Sequence, residues 1–219
     1  MPFQNKNKLK ILEAGDFSSW VVELNDAICG KKDSNVPCHG CVACCTSSQF
    51  VHIGPGEAET LSHIPKKLLF PAPRMPLGHF LLGYNKRGHC PMLIHQKCSI
   101  YEYRPRTCRV YDCRVFSAAG LLPEEEQVSI ARQAKRWRFR FQNEGDCNHR
   151  KAVQAAAVFL RKNTGKLPPE IFPRTTTQWA VLAFRIHEAF LKKDNKTGRW
   201  VVVDSVSDAV LGSILRRVR

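Results

Sequence analysis

The sequence predicts an α+β fold, mostly α: a small, loop-rich cysteine-cluster domain with a short hairpin, followed by a helical region. Three observations predict it. Eight of the ten cysteines lie between Cys38 and Cys113, and only Cys147 follows them. Apolar residues recur at helical spacing through most of the second half. Apolar residues make up 43% of the 219-residue chain and charged residues 24%, enough for a packed core rather than a disordered chain. The shift in cysteine density sets the expected organisation: residues 1–119, with a core at 36–116, and a basic helical region at 120–219.

Taken in order, Phe17, Trp20, Val21, Leu24 and Ile28 fall at helical spacing behind Asp16, a good N-cap residue. Residues 55–63 read as a short helix opened by Gly54-Pro55 and closed by Pro65. Residues 79–84 and 89–95 are apolar-rich runs separated by Asn85-Lys86-Arg87-Gly88, which predicts a hairpin between them. The stretch from Cys98 to Cys113 has no clean period and reads as loop and short turns. Residues 124–141 carry a helical stripe at Ile130, Ala134, Trp137 and Phe141. Val153, Ala156, Ala157 and Leu160 mark the next helix, with Gly165 as its stop. Trp179, Leu182, Ala183, Ile186 and Phe190 mark another, ended near residues 195–198, and residues 200–203 read as one short strand. Ser205 with Asp208 predicts the N-terminus of the last helix, whose stripe is Val206, Val210 and Ile214.

Composition removes several function classes. The longest apolar runs, such as 155–160 and 179–184, are six residues, so no membrane span is expected. The N-terminus MPFQNKNKLK has no apolar segment behind its lysines, so a cytoplasmic protein in a reducing compartment is expected. Ten cysteines there point to metal or redox chemistry rather than disulfides. The sequence holds no Gly-rich phosphate loop, G-x-S-x-G elbow or H-E-x-x-H, so neither a hydrolase nor a nucleotide-dependent enzyme is indicated. Lys and Arg number 34 against 19 Asp and Glu, a net charge of +15. Within it, residues 132–141 (RQAKRWRFRF) interleave five basic residues with three aromatics. That run suits an acidic protein or nucleic acid, but a solvated helix face with its aromatics inward is the favoured reading. Trp137, Trp179 and Phe184 are accordingly expected in the core.

The cysteines carry the chemistry. Cys38-x2-Cys41-x2-Cys44-Cys45 brings sulfurs to one side of tight turns, as a tetrahedral ion requires. Cys90, Cys98, Cys108 and Cys113 form a looser second group, and together the eight thiols match two four-sulfur sites. Neighbouring side chains diverge, so Cys44 and Cys45 are expected to serve different sites, one with Cys38 and Cys41 and the other with the second group. Zn²⁺ and Fe–S clusters both accept such ligands. The x2, x2 triplet, with Cys90-Pro91 as a distal Cys-Pro, is similar to a bacterial ferredoxin run and leans toward Fe–S. Arg104, Arg106, Arg109 and Arg114 sit among the ligands, to offset thiolate charge or to pair with Glu102 and Asp112. His39, His89 and His95 flank the cysteines as bystanders, and Cys29 and Cys147 read as idle thiols. With little apolar periodicity around the cysteines, folding is expected to depend on the metal.

The opening Cys38-x2-Cys41-x2-Cys44-Cys45, followed by Cys98-Ser-Ile-Tyr-Glu-Tyr-Arg-Pro-Arg-Thr-Cys108-Arg-Val-Tyr-Asp-Cys113, resembles the YkgJ-type cysteine-cluster family, found mostly in bacteria. All eight cysteines carry over by position, as do Ile100, Tyr101, Arg104, Pro105 and Arg109. The resemblance covers roughly residues 36–116 and implies chelation of zinc or iron, with no settled reaction. The adjacent-cysteine layout is also broadly similar to that of flagellin lysine N-methylases, which keeps an Fe–S-dependent modifying enzyme as an alternative. A nucleic-acid-associated zinc protein ranks behind both.

Overall fold

The computed structural model describes residues 10–38, 40–123 and 127–217; His39 and residues 124–126 lie outside them. Strand β1 (Leu12–Asp16) runs straight into helix α1 (Phe17–Ile28), the helix its apolar spacing predicts. Then come β2 (Val51–Ile53), α2 (Ala58–Ser62), β3 (Leu69–Pro71), β4 (Phe80–Leu82), β5 (Leu93–Ile94) and β6 (Lys97–Cys98). Short helices α3 (Arg106–Arg109) and α4 (Arg114–Ala119) lead to α5 (Val128–Ala134) and β7 (Trp137–Arg140). The chain continues with α6 (Glu144–Lys162), α7 (Thr176–Ile186), β8 (Leu191–Lys193), β9 (Trp200–Val202) and α8 (Asp208–Arg217). The fold is α+β and mostly α, as expected. No helix among the described residues is long and apolar enough to cross a membrane.

Two compact units result. One takes residues 22–112 and 124–131; the other takes the chain up to Val21, residues 113–123 and everything from Arg132. This differs from a single cut at residue 119. The cause is β7, which pairs in parallel with β1 and draws the start of the chain into the helical unit.

In the cysteine-bearing unit, β2, β4 and β3 form an antiparallel sheet with β4 in the centre. Ile53, Ile64, Leu82, Met92 and Ile100 bury one face of it, with Cys90 and Cys98 packed against them. The hairpin predicted across residues 85–88 is corrected here. Both edges of β4 are already taken by β2 and β3, so β5 pairs with β6 instead, Leu93 opposite Cys98 and Ile94 opposite Lys97. His95 and Gln96 turn it with φ of 48° and 59°, the doubly positive geometry that matches strand twist.

In the helical unit, the helix expected over 124–141 stops at Ala134, and Trp137–Arg140 is a strand. Trp137, Phe139 and Phe141 alternate with Arg138 and Arg140, the period of a half-buried strand. Trp137 is 1% exposed. Phe139 packs 5.1 Å from Phe17 and 4.8 Å from Trp20, whose ring also meets Phe184 at 5.4 Å. The arginines of this run are engaged within the unit. Arg136 donates to the Lys10 carbonyl and to Gln133, Arg138 to the carbonyls of Lys135 and Trp137, and Arg140 to Asp16. Arg140 and Gln142 hold the Asp16 carboxyl below its ordinary range.

Asn143 caps α6 by accepting the Asp146 N–H at 3.0 Å, and Asp146 accepts the Gln142 N–H in return. Ala152, Val153, Ala156, Ala157 and Leu160 form its buried stripe, small enough for α7 to pack closely. α6 ends at Lys162, ahead of Gly165. A Thr175–Gln178 capping box opens α7, which stops at Ile186 because a 3₁₀ turn and the β8–β9 hairpin follow. Trp179 is half-buried against Phe172 rather than deep in the core. The last helix buries Leu211 and Leu215, while Val210 is 44% exposed, so the expected stripe is displaced by one residue. Ser207, not Ser205, accepts from the first turn, through the Val210 N–H.

His187 is buried beside Phe184, bonds its carbonyl at 2.5 Å, and meets His149 at 3.1 Å. Burial first, and His149 after it, push its pKa below the ordinary histidine value. The folded state therefore binds fewer protons than the unfolded chain, and stability rises with pH through this window. The melting temperature of the helical unit should fall as pH drops below about 6.5, and His187→Leu should flatten that slope in a thermal melt series.

Candidate metal centre

The first cysteine group is held by local hydrogen bonds that the sequence encodes. The Cys41 N–H donates to the Cys38 carbonyl at 2.8 Å across a turn in which Gly40 takes φ of 79°. Ala43 N–H donates to Cys41 Sγ at 3.4 Å, the contact that stabilises a charged sulfur. A 3₁₀ turn (Cys44–Thr46) follows, and the carbonyls just ahead of it accept hydroxyl protons from its end. Thr46 Oγ1 donates to the Val42 carbonyl at 3.1 Å, and Ser47 Oγ to the Ala43 carbonyl at 2.7 Å.

Two backbone bonds then zip this turn to a distant segment. Cys90 N–H donates to the Cys45 carbonyl at 2.8 Å, and Ser48 N–H to the Gly88 carbonyl at 2.9 Å. Cys98 arrives on β6 of the hairpin that Cys90 precedes. Cys108 sits on α3, which is fixed to the sheet when Thr107 Oγ1 donates to the His52 carbonyl at 2.8 Å. Glu57 anchors the same segment by accepting the Arg106 N–H at 2.5 Å while its other oxygen takes the Gly54 N–H.

Gly88 is where the zipper is most demanding. Its φ is 76°, and a Cβ there would collide with the Ser48 hydroxyl. Gly88→Ala should cost on the order of 1–3 kcal/mol, from the strained backbone and the collision together. Denaturant unfolding of that variant, with its metal content, is the check.

The thiols brought together this way interact electrostatically. Cys45 is pushed up to about 12, by burial first and then by Cys44, Cys90, Cys98 and Cys41. The Cys108 thiol is raised by burial and then by Cys44, Cys45, Cys90 and Cys98. Burial also leads the rise at Cys44, with Cys41 and Cys90 behind it, and at Cys90, with Cys98 behind it. The residues Cys44 and Cys108 keep solvent-accessible surface, so the pool sits close to an opening while its sulfurs are crowded by protein. Cys44 and Cys45, expected to serve different sites, have thiol neighbours in common. Each feels Cys41 and Cys90, and Cys108 feels both.

Cys38 lies one turn from this pool, at the start of its first loop. Cys113 lies in the helical unit, 8% exposed, and its sulfur accepts the Trp137 indole N–H at 3.1 Å. Cys29 is exposed beyond the end of α1, and Cys147 is on α6. Arg104 lies over the Tyr101 ring at 4.1 Å, and Arg109 pairs with Asp33 at 3.5 Å. Arg106 reaches the Ile28 carbonyl. Among the described residues none of these three arginines donates to a sulfur.

The donor set fits a soft, thiophilic metal, since it consists of thiols with a backbone N–H already aimed at one of them. Among the described residues no three His, Cys, Asp or Glu side chains stand as a ready coordination shell.

Neither the curated proteins nor the solved structures contain a match to this chain. Residues 37–134 match the family model described as "CxxCxxCC: Putative zinc- or iron-chelating domain", the family that the cysteine pattern resembles.

Proposed function

We propose that this chain binds iron or zinc through its clustered cysteines. The observation that carries this reading is the convergence of three separate stretches, through the Cys90–Cys45 backbone bond, the β5–β6 hairpin and the Thr107 anchor of α3, which brings Cys41, Cys44, Cys45, Cys90, Cys98 and Cys108 into one neighbourhood. Cys38 joins them through its turn, and in the helical unit the Cys113 sulfur already holds an indole donor of the kind that supports a thiolate ligand. An Fe–S centre is the first form of the proposal, on the strength of the x2, x2 triplet, and Zn²⁺ is the second. Bound metal would cross-link the 38–45 loop, the β5–β6 hairpin and α3, adding binding free energy to folding.

Anaerobic purification followed by metal analysis and visible spectroscopy tests the proposal. Brown protein with charge-transfer absorption assigns iron–sulfur, and colourless protein with stoichiometric zinc assigns zinc. Burial pushes Cys45 up to about 12 and also raises Cys44, Cys90 and Cys108, so each of these that becomes a ligand must release its proton. A weakly buffered solution should therefore acidify as metal is added, and apparent affinity should climb with pH through neutrality. Protein that takes up neither metal and is equally folded without one would overturn the reading.

A further inference from the structure

The three-stranded sheet has a second face, turned away from its small core. Val51, Leu69 and Leu82 share one row of the register and Ile53 and Phe80 another, all on the core side. By the two-residue period of a strand, Phe50, His52, Phe70, Leu81 and Gly83 lie on the opposite face. The aromatic rings there are close but uncovered. Phe50 is 55% exposed, Phe70 38% and Tyr84 41%. Phe50 meets Phe70 edge-on at 5.8 Å and Tyr84 at 5.0 Å, and both phenylalanine rings lie over Gly83, which has no side chain to separate them. Beside them, His52 and His79 stack at 5.0 Å with planes 22° apart.

Charge collects at one end of this platform. β3 pairs antiparallel with β4, Leu69 opposite Leu82, so Lys66 and Lys67 at the start of β3 lie at the end where β4 leaves. Lys86 and Arg87 lie in the turn just past Tyr84, and Phe50 enters β2 at that same end. All four cations are exposed, and none forms an ion pair with a described residue.

We propose that this face is a docking platform for single-stranded nucleic acid, with bases stacking on Phe50, Phe70 and Tyr84 and phosphates meeting Lys66, Lys67, Lys86 and Arg87. Every base offers a flat π-face to an exposed ring, while unpaired cations at the rim attract the backbone without reading sequence. A duplex keeps its bases stacked inside and offers only the electrostatic part. The platform is independent of the cysteine pool's occupant.

The test is fluorescence anisotropy of a labelled oligo(dT) of about twelve nucleotides with the full-length protein as purified, across a salt series. Binding should weaken steeply with salt, and Phe50→Ala with Phe70→Ala should lower affinity about ten-fold or more. Phe50→Tyr with Phe70→Tyr keeps both rings and should bind like the parent, which separates lost stacking from lost folding. Lys86→Glu with Arg87→Glu should weaken binding and flatten the salt slope. The proposal is overturned by absence of binding, by equal affinity for duplex and single strand, or by alanine variants that bind like the parent. It is equally overturned if the face captures anionic vesicles or acidic peptides in preference to the oligonucleotide.

Discussion

Cys45→Ser and Cys108→Ser should each leave the protein unable to hold its metal, with apparent affinity down by more than about a hundred-fold. That is the scale of losing a supporting contact to a ligand, and the proposed binding mode makes each of these thiols a ligand itself. Cys45 has the widest set of thiol neighbours on the first loop, and its carbonyl also receives the Cys90 N–H, so it sits where both cysteine groups meet. Serine preserves the backbone bond and the volume, which confines the effect to the sulfur. Cys108 reaches the same thiols from α3, so its removal opens the pool from the other side. Because Cys44 and Cys45 share neighbours, Cys44→Ser should remove the same metal as Cys45→Ser rather than a separable fraction. Cys29→Ser and Cys147→Ser should retain full occupancy. Metal analysis of the five purified variants decides it, and a Cys45→Ser protein with undiminished metal would end the pooled-site model.

The clustering of the cysteines was legible because cysteine spacing is a local signal. Cys38-x2-Cys41 needs only a turn, and the turn is there, with Gly40 in the left-handed region and hydroxyls from Thr46 and Ser47 closing the next one. How the thiols divide was not legible, since it depends on which distant backbone meets Cys45. That backbone is the Gly88–Cys90 segment, whose bonds to Ser48 and Cys45 no spacing rule encodes. The misplaced hairpin has the same origin. Asn85 to Gly88 does form a turn, but β4 had no free edge to offer the strand after it. The strand at Trp137–Arg140 is a different kind of miss. Its alternation of ring and arginine was present in the sequence, and a helical period through Trp137 and Phe141 fitted the same residues. Over so short a stretch, the parallel partner β1 decided between the two periods.

Trp137→Ala should be the most damaging single change in the helical unit, costing about 3–5 kcal/mol. The side chain is 1% exposed at the start of β7, opposite Leu12 of β1, and its carbonyl accepts the Ser117 hydroxyl at 3.2 Å. Truncation empties a large volume beneath a strand pair of a few residues, too short to close over the gap. Chemical denaturation followed by circular dichroism should show the loss directly, and a shift under about 1 kcal/mol would mean the site collapses around the missing ring. Trp137→Phe gives a second, sharper measurement. Most of the apolar surface stays, so stability should fall by less, while the N–H that reaches Cys113 Sγ disappears. An indole donor matters little to a neutral buried thiol and much to a thiolate held against a metal. Metal content of Trp137→Phe, with the fold intact, therefore tests whether Cys113 serves as a thiolate ligand, and unchanged content would leave it as a packed thiol of the helical core.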